Sequence, residues 1–157
     1  MPALSEKRNV SEYISGYVDG EGCFSISFSR CKRLRIGWET KPSFSVSQNE
    51  NRAEVLYILQ KRFDSGFLRR DYSDKTLKYE IRSLSTLIKS VIPHFKSFPL
   101  LSSKQKDFLL FEKVCRYMAR GEHMNKRGLR RILSIAFKMN PGGKRKYTER
   151  DILSSLR

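Results

Sequence analysis

Cysteine is scarce in this chain. The three thiols, Cys23, Cys31 and Cys115, form no CxxC pair, and the two histidines, His94 and His123, show no HxxxH spacing. Neither a zinc site nor a disulfide framework organises such a sequence, and a reducing, intracellular compartment fits. Cys115 falls within a helical pattern and reads as core. No apolar run approaches the roughly 20 residues that a membrane-spanning helix needs, so no membrane association is expected. Met1–Asn9 lacks the apolar centre of a secretory signal. Gly142-Gly143-Lys144 is the only glycine pair beside a base, and no strand pattern precedes it. It is no phosphate-cradling loop, and no small-molecule cofactor is expected. No Ser–His or His–carboxylate arrangement stands out. Acid is also short: 16 Asp and Glu against 32 Lys and Arg give +16. That excess calls for a polyanionic partner. Nucleic acid is favoured over an anionic membrane, because no segment reads as a strongly apolar basic amphipathic helix. Charge alone does not separate DNA from RNA.

The 157 residues are one ordinary domain's worth, and 39% hydrophobic residues can build a core. The informative stretch is Ile14-Ser15-Gly16-Tyr17-Val18-Asp19-Gly20-Glu21-Gly22. Val10, Tyr13, Ile14, Tyr17 and Val18 follow helical spacing, with Ser11 as a candidate cap and Glu12 in the first turn. Gly16 and Gly20, four apart, share a face. Each costs a helix roughly 1 kcal/mol against alanine, and the usual return is close approach of another backbone. After Gly22 the pattern switches to alternation, with Phe24, Ile26 and Phe28 on one side and Cys23, Ser25, Ser27 and Ser29 on the other. A helix thus hands Glu21 to the start of a half-buried strand. Taken alone, Asp-Gly-Glu-Gly also fits an ordinary turn with solvated acids.

The nine-residue run resembles the LAGLIDADG motif. Gly16, Asp19 and Gly22 match its consensus, Glu21 stands at the second acidic position, and Gly20 is the small residue before it. Ser15 and Tyr17 depart from the consensus letters but keep the size pattern. The chain therefore looks like a LAGLIDADG homing endonuclease of the single-motif branch. The resemblance implies an α+β fold with an αββαββα core. Four antiparallel strands form a DNA-binding saddle, helices cover the other face, and further helices follow at the C-terminus. A single domain, residues 1–157, is expected, with the core at about 8–120 and the helical extension at about 121–157.

The rest of the chain fits that order. A second alternating segment runs from about Leu34 to Ser47, with Arg30-Cys31-Lys32-Arg33 as a basic hairpin loop. Pro42 signals an edge, a bulge or a break. Asn51, with Glu54 three on, predicts a helix burying Val55, Leu56, Ile58, Leu59 and Phe63 and stopped by Asp64-Ser65-Gly66. Strands follow at Phe67–Arg70 and Leu77–Arg82. Ser85 predicts the cap of a helix that Pro93 or Pro99 ends. Ser102 or Ser103 opens a helix through Ala119, Leu129–Phe137 marks another, and Thr148 with Asp151 begins a short last one.

The resemblance also assigns roles. Glu21 and the carbonyl of Gly20 would hold Mg²⁺, with Mn²⁺ or Ca²⁺ able to substitute in binding. Gln48, Lys104 and Arg52 join Glu21 in the active site, and Asp19 orders the helix end rather than binding metal. The polar sheet face would read duplex DNA through Ser25, Ser27, Ser29, Arg33, Arg35, Glu39, Lys41, Ser43, Ser45, Arg69, Lys78, Glu80 and Arg82, with Arg30 and Lys32 at the hairpin. Apart from the resemblance, the basic run Lys144-Arg145-Lys146 in an exposed loop reads as a phosphate clamp through Lys144 and Lys146, or as a solvated loop. The motif does not repeat, so cutting both strands needs a homodimer paired through Tyr13, Gly16, Tyr17 and Gly20, on a roughly palindromic target. A maturase that assists RNA splicing, or a DNA binder that does not cut, are alternatives on the same fold. Such genes lie in organellar or archaeal introns, which leaves chloroplast, mitochondrion or archaeal cytoplasm open.

Overall fold

The structure is a computed structural model that describes residues 9–156. Residues 1–8, which include most of the stretch searched for a signal and the start of the expected core, and Arg157 lie outside the described residues. Helix α1 spans Val10–Glu21, and β1 follows without a gap at Gly22–Arg30. Asn9, not Ser11, caps α1: its side-chain oxygen accepts from the backbone N–H of Ser11 at 3.1 Å and of Glu12 at 3.2 Å. Asparagine two residues earlier reaches both free N–H groups, which leaves Ser11 inside the first turn.

Strand β2 spans Trp38–Asn49, so it starts later than the alternation suggested. Leu34, Arg35 and Ile36 belong to the loop, which closes on itself through Leu34 N–H to Cys31 O at 3.2 Å and Gly37 N–H to Leu34 O at 2.9 Å. Gly37, at φ 84°, turns the chain into the strand, a conformation a side chain would resist. Ile36 is buried from that loop, which explains why it kept the parity of a strand residue. Helix α2 spans Glu54–Phe63, β3 Phe67–Asp71 and β4 Thr76–Ile81. The Asn51 cap does not form. Asn51 lies in a 3₁₀ turn, Glu50–Arg52, and α2 starts behind Ala53 with no side-chain cap. Ile58 is exposed rather than part of the buried stripe of α2.

The four strands pair antiparallel in the order β1-β2-β4-β3. Pro42 pairs with Ile26 of β1, and β4 joins β2 only from Phe44 onward. The missing proline N–H therefore falls where β2 has no second neighbour. After β4, Ser83 rather than Ser85 caps a helical segment built of a turn α3, Leu84–Thr86, a π-turn, Leu87–Val91, and α4, Ile92–Ser97. Pro93 does not end it. The π-turn shifts the hydrogen-bond register, with Ile92 N–H donating to Leu87 O, and Pro93 sits in the opening turn of α4, where its missing N–H costs little.

Helix α5 spans Lys104–Ala119, α6 Lys126–Ala136 and α7 Glu149–Ser154. The Thr148–Asp151 capping box of α7 forms as expected. Residues of α6 and α7, Leu129, Ile132, Leu133 and Ile152, share one buried cluster with the sheet. At its centre Phe24 meets the rings of Phe44, Phe95, Phe108 and Phe111 at 5.3–5.4 Å. The free edge of β1 is covered by the C-terminal region: Asn140 Nδ2 donates to Phe24 O and Arg145 Nη1 to Ile26 O, each at 2.7 Å. Arg145 is thus structural, while Lys144 and Lys146 beside it stay exposed.

Two consequences for stability follow. A Cβ on Gly128 would meet the Glu122 carbonyl oxygen at 1.9 Å, so Gly128→Ala should destabilise the fold by roughly 2–4 kcal/mol, measured by urea titration. His94 is buried between α1 and the aromatic core, with Nε2 3.3 Å from Ser15 Oγ and Nδ1 without a partner among the described residues. Burial, with Arg62 nearby, pushes its pKa down from 6.5 to about 4. Below the unfolded value the denatured chain takes up a proton that the native chain refuses. Stability should therefore fall as pH drops from about 6.5 toward 4, by roughly 3 kcal/mol at this site, and His94→Gln should flatten that limb of the profile.

Candidate active site and nucleic-acid interface

Helix α1 buries Ile14, Ser15 and Val18 and turns Tyr13, Gly16 and Gly20 outward. A Cβ built on Gly16 or Gly20 would meet nothing within 4 Å among the described residues. The described residues give no packing reason for either glycine. Gly22 is different: a Cβ there would lie 2.8 Å from the Val18 carbonyl oxygen, so the handover from helix to strand needs glycine. Glu21 is the last residue of α1 and is exposed.

Three side chains tie down the end of α1. The Asp19 carboxylate accepts from the backbone N–H of Leu101 at 2.8 Å, of Ser102 at 2.9 Å, and from the Ser102 hydroxyl. Partial burial raises its carboxyl pKa, but the Ser102 and Leu101 hydrogen bonds, with Lys104 nearby, outweigh that and hold it below the usual carboxylate range. Lys104 Nζ donates to Val18 O at 3.0 Å. Gln48 Nε2 donates to the Tyr17 hydroxyl, while its Oε1 accepts from Asn49 N–H at 2.8 Å. Lys104 and Gln48 thus converge on the turn that presents Glu21, one through Val18 and one through Tyr17. Arg52 stands apart, exposed on its 3₁₀ turn, with no hydrogen bond or ion pair to the side chains of that turn among the described residues.

No group of three or more His, Cys, Asp or Glu among the described residues could hold a metal alone. What the helix end offers is one free carboxylate, Glu21, beside the last-turn carbonyls, including Gly20, that have no intrahelical donor. That set suits a hard cation sharing its shell with phosphate oxygens and water.

The outer face of the sheet can be written as rungs. Ser29 pairs with Glu39, Ser27 with Lys41, and Ser25 with Ser43. Cys23, Ser45, Glu80 and Phe67 form one row, and Ser47, Lys78 and Arg69 the next. Arg82 follows β4 and lies 5.4 Å over the Phe67 ring. Two expected readers are set back into this face: Ser45 is 7% exposed and Glu80 4%. Glu80 is engaged by the Ser43 hydroxyl at 2.5 Å and by Arg82 at 3.1 Å. Burial raises the Glu80 carboxyl pKa, but those two hydrogen bonds and Lys78 bring it below the ordinary range. It braces its neighbours more than it reaches outward. Arg35, like Lys32 and Arg33, projects from the hairpin loop and not from a strand.

Sequence reasoning did not mark the cleft beside Tyr13. Val10, Tyr13, Ile58, Lys61 and Arg62 line it, about 650 Å³ in volume. Its signal was Ile58, an isoleucine on the side of α2 away from Leu56 and Leu59.

The family profile described as LAGLIDADG endonuclease matches residues 14–115. Among curated proteins, the chain is 33% identical over 129 residues to "Probable intron-encoded endonuclease 3" and 28% over 131 residues to "Probable intron-encoded endonuclease 2", both of Neurospora crassa. It covers 82% and 83% of itself in these matches but only 24% and 29% of those proteins, about a quarter of their length. The homing endonuclease I-TnaI superposes with a TM-score of 0.80 at 38% identity, covering 85% of this chain and 89% of that one. The LAGLIDADG homing endonuclease I-LtrWI, bound to target DNA, gives 0.82 at 32%, covering 86% of this chain and 46% of that one. I-SmaMI, bound to uncleaved DNA with calcium ions, gives 0.82 at 30%, covering 88% and 47%. With its motif at the end of α1 and its four-stranded sheet matched over most of the chain, this protein belongs to the LAGLIDADG endonuclease family.

Proposed function

We propose that two copies of the chain form a site-specific endonuclease that cuts both strands of duplex DNA with a divalent metal, Mg²⁺ by preference. The observation that carries the reading is the bare glycine face of α1. Gly16 and Gly20 face open space, beside a carboxylate at the end of the same helix. A second copy packed there would satisfy the glycines and bring two Glu21 side chains to one place. The match to I-TnaI over nearly its whole chain supports pairing of single-motif units, whereas I-LtrWI and I-SmaMI are about twice as long as the matched part.

Glu21 and the Gly20 carbonyl would hold the metal. When bound, the metal supplies a Lewis acid and lowers the pKa of bound water. Lys104, fixed on Val18 O, places a cation beside the reacting phosphate and offsets the charge that builds there. Gln48, held by Tyr17, orients water at the same end. Arg52, which stands apart on its 3₁₀ turn, would contribute only its charge. A twisted antiparallel ribbon fits the major groove, so the rungs of β1 and β2 with Lys78, Arg69 and Arg82 read base edges. The hairpin cations Arg30, Lys32, Arg33 and Arg35, and Lys144 and Lys146 along the β1 edge, hold phosphates. No helix among the described residues is long and apolar enough to cross a membrane. Relatives described as intron-encoded, one of them in ND4 intron 1 of Podospora anserina, make an organelle the proposed location.

Selection from a randomised duplex library with Mg²⁺, followed by sequencing of the cut ends, tests the reading. A roughly palindromic site cut on both strands is expected. Binding without cutting at any divalent metal would overturn it in favour of a non-cleaving binder.

A further inference from the structure

Helix α6 carries a charge pattern that works against its own stability. Its buried face is Gly128, Leu129, Ile132, Leu133 and Ala136, so its apolar side is spent on the core. The opposite face exposes Lys126, Arg127, Arg130 and Arg131. Lys126–Arg130 and Arg127–Arg131 are like-charge pairs four apart, which repel. Two of these cations sit in the first turn, where the helix dipole disfavours them, and that turn holds no acid. The acid nearby, Glu122, is shared by Arg120 at 2.9 Å and Arg131 at 3.8 Å. Lys126, Arg127 and Arg130 have no ion pair among the described residues.

This face reaches the end of the reading surface through Lys126. Lys126 and Asn125 line one small cleft, about 220 Å³, together with Arg35 and Ile36 of the β1–β2 hairpin. Phe137, just past α6, stacks on Phe28 of β1 at 6.2 Å, which holds the helix under that end of the sheet. Duplex running past the hairpin tip would come upon a second basic surface, beginning at Lys126.

We infer that the Lys126–Arg131 face of α6 is a sequence-independent docking surface for the phosphate backbone of duplex DNA flanking the target, beyond the base pairs that the sheet reads. The inference rests on the sheet being a DNA-binding face. Its effect is to lengthen the footprint at both ends of the site and to draw the flanks toward the protein. In the free protein the face is left with uncompensated repulsion, which polyphosphate relieves.

The test uses the shortest duplex that the full-length protein binds, and the same duplex extended by about 10 bp, one helical turn, at each end. Two triple variants are compared with the unaltered chain: Lys126→Gln/Arg127→Gln/Arg130→Gln, and Lys126→Arg/Arg127→Lys/Arg130→Lys, which keeps the charge. The extended duplex should bind at least about tenfold tighter to the unaltered chain and to the charge-keeping variant, and no tighter to the neutral one. The salt dependence on the extended duplex should flatten in the neutral variant by about 0.9 per lost phosphate contact. Affinity for the short duplex and the melting temperature should not fall. Short-duplex binding without any gain on extension overturns this inference alone. Failure to bind duplex of any length overturns the DNA reading and this one together. A structured RNA that binds through these residues while extension of the DNA has no effect also overturns it.

Discussion

Glu21→Gln is expected to remove strand cleavage by at least about 10³-fold while leaving target affinity within about threefold. The substitution keeps the size of the side chain and deletes its charge at an exposed helix end. Glu21 makes no side-chain hydrogen bond or ion pair among the described residues, so the fold should not register the change. Asp19, two residues earlier, predicts the opposite split. Its carboxylate is tied to Leu101 and Ser102, and Asp19→Ala should loosen α1 from the start of α5 and lower the melting temperature. The stabilisation by Asp19 is present above the ordinary carboxylate range and is lost as pH falls through its lowered native pKa, because the unfolded carboxyl then binds the proton first. Single-turnover cleavage with Mg²⁺, gel-shift titration and thermal melting on the two variants separate the roles. Equal loss of binding and cutting in Glu21→Gln would sink the assignment of Glu21 to the metal.

The path from α1 into β1 was legible because three signals agreed: helical spacing to Val18, glycine at residue 22, and strict alternation from Cys23. Where signals conflicted, tertiary context won. Asn9 and Ser11 are both good caps, and only the actual course of the chain selects the earlier one. Ile36 has strand parity, yet Gly37 at positive φ keeps it in the hairpin. Pro93 reads as a stop, and a π-turn carries the helix past it. At the site, Glu21 and Asp19 stand in one motif, and the structure ties Asp19 to Leu101 and Ser102 while leaving Glu21 exposed. The resemblance named Lys104 and Gln48, but their anchors could not be read. Val18 lies 86 residues before Lys104, and Tyr17 31 before Gln48, and no local pattern spans such distances. The setback of Ser45 and Glu80 was equally hidden, since alternation says which face a residue takes and not how deeply its row is covered.

Gly16→Leu should have opposite effects on protomer and assembly, and that makes it the sharpest check on the pairing of α1 helices. Within one chain the position is exposed, with nothing among the described residues within 4 Å of a Cβ. Leucine also favours a helix by somewhat under 1 kcal/mol over glycine. The isolated chain should therefore melt no lower than the unaltered one. In the proposed dimer two α1 helices would meet at this face, and a four-carbon side chain on each side of the two-fold axis would hold the backbones apart. Dimer dissociation should rise by at least about 10²-fold, which corresponds to roughly 2.7 kcal/mol, and double-strand cutting should fall with it. Sedimentation at micromolar concentration reads the first change, and plasmid linearisation the second. A variant that stays dimeric and still linearises its target would show that the glycine face does not pair, and with it would go the argument that Glu21 acts beside a second copy of itself. Gly20→Leu is the weaker probe. Gly20 adjoins Glu21, and a side chain there would disturb the carboxylate and the interface at once.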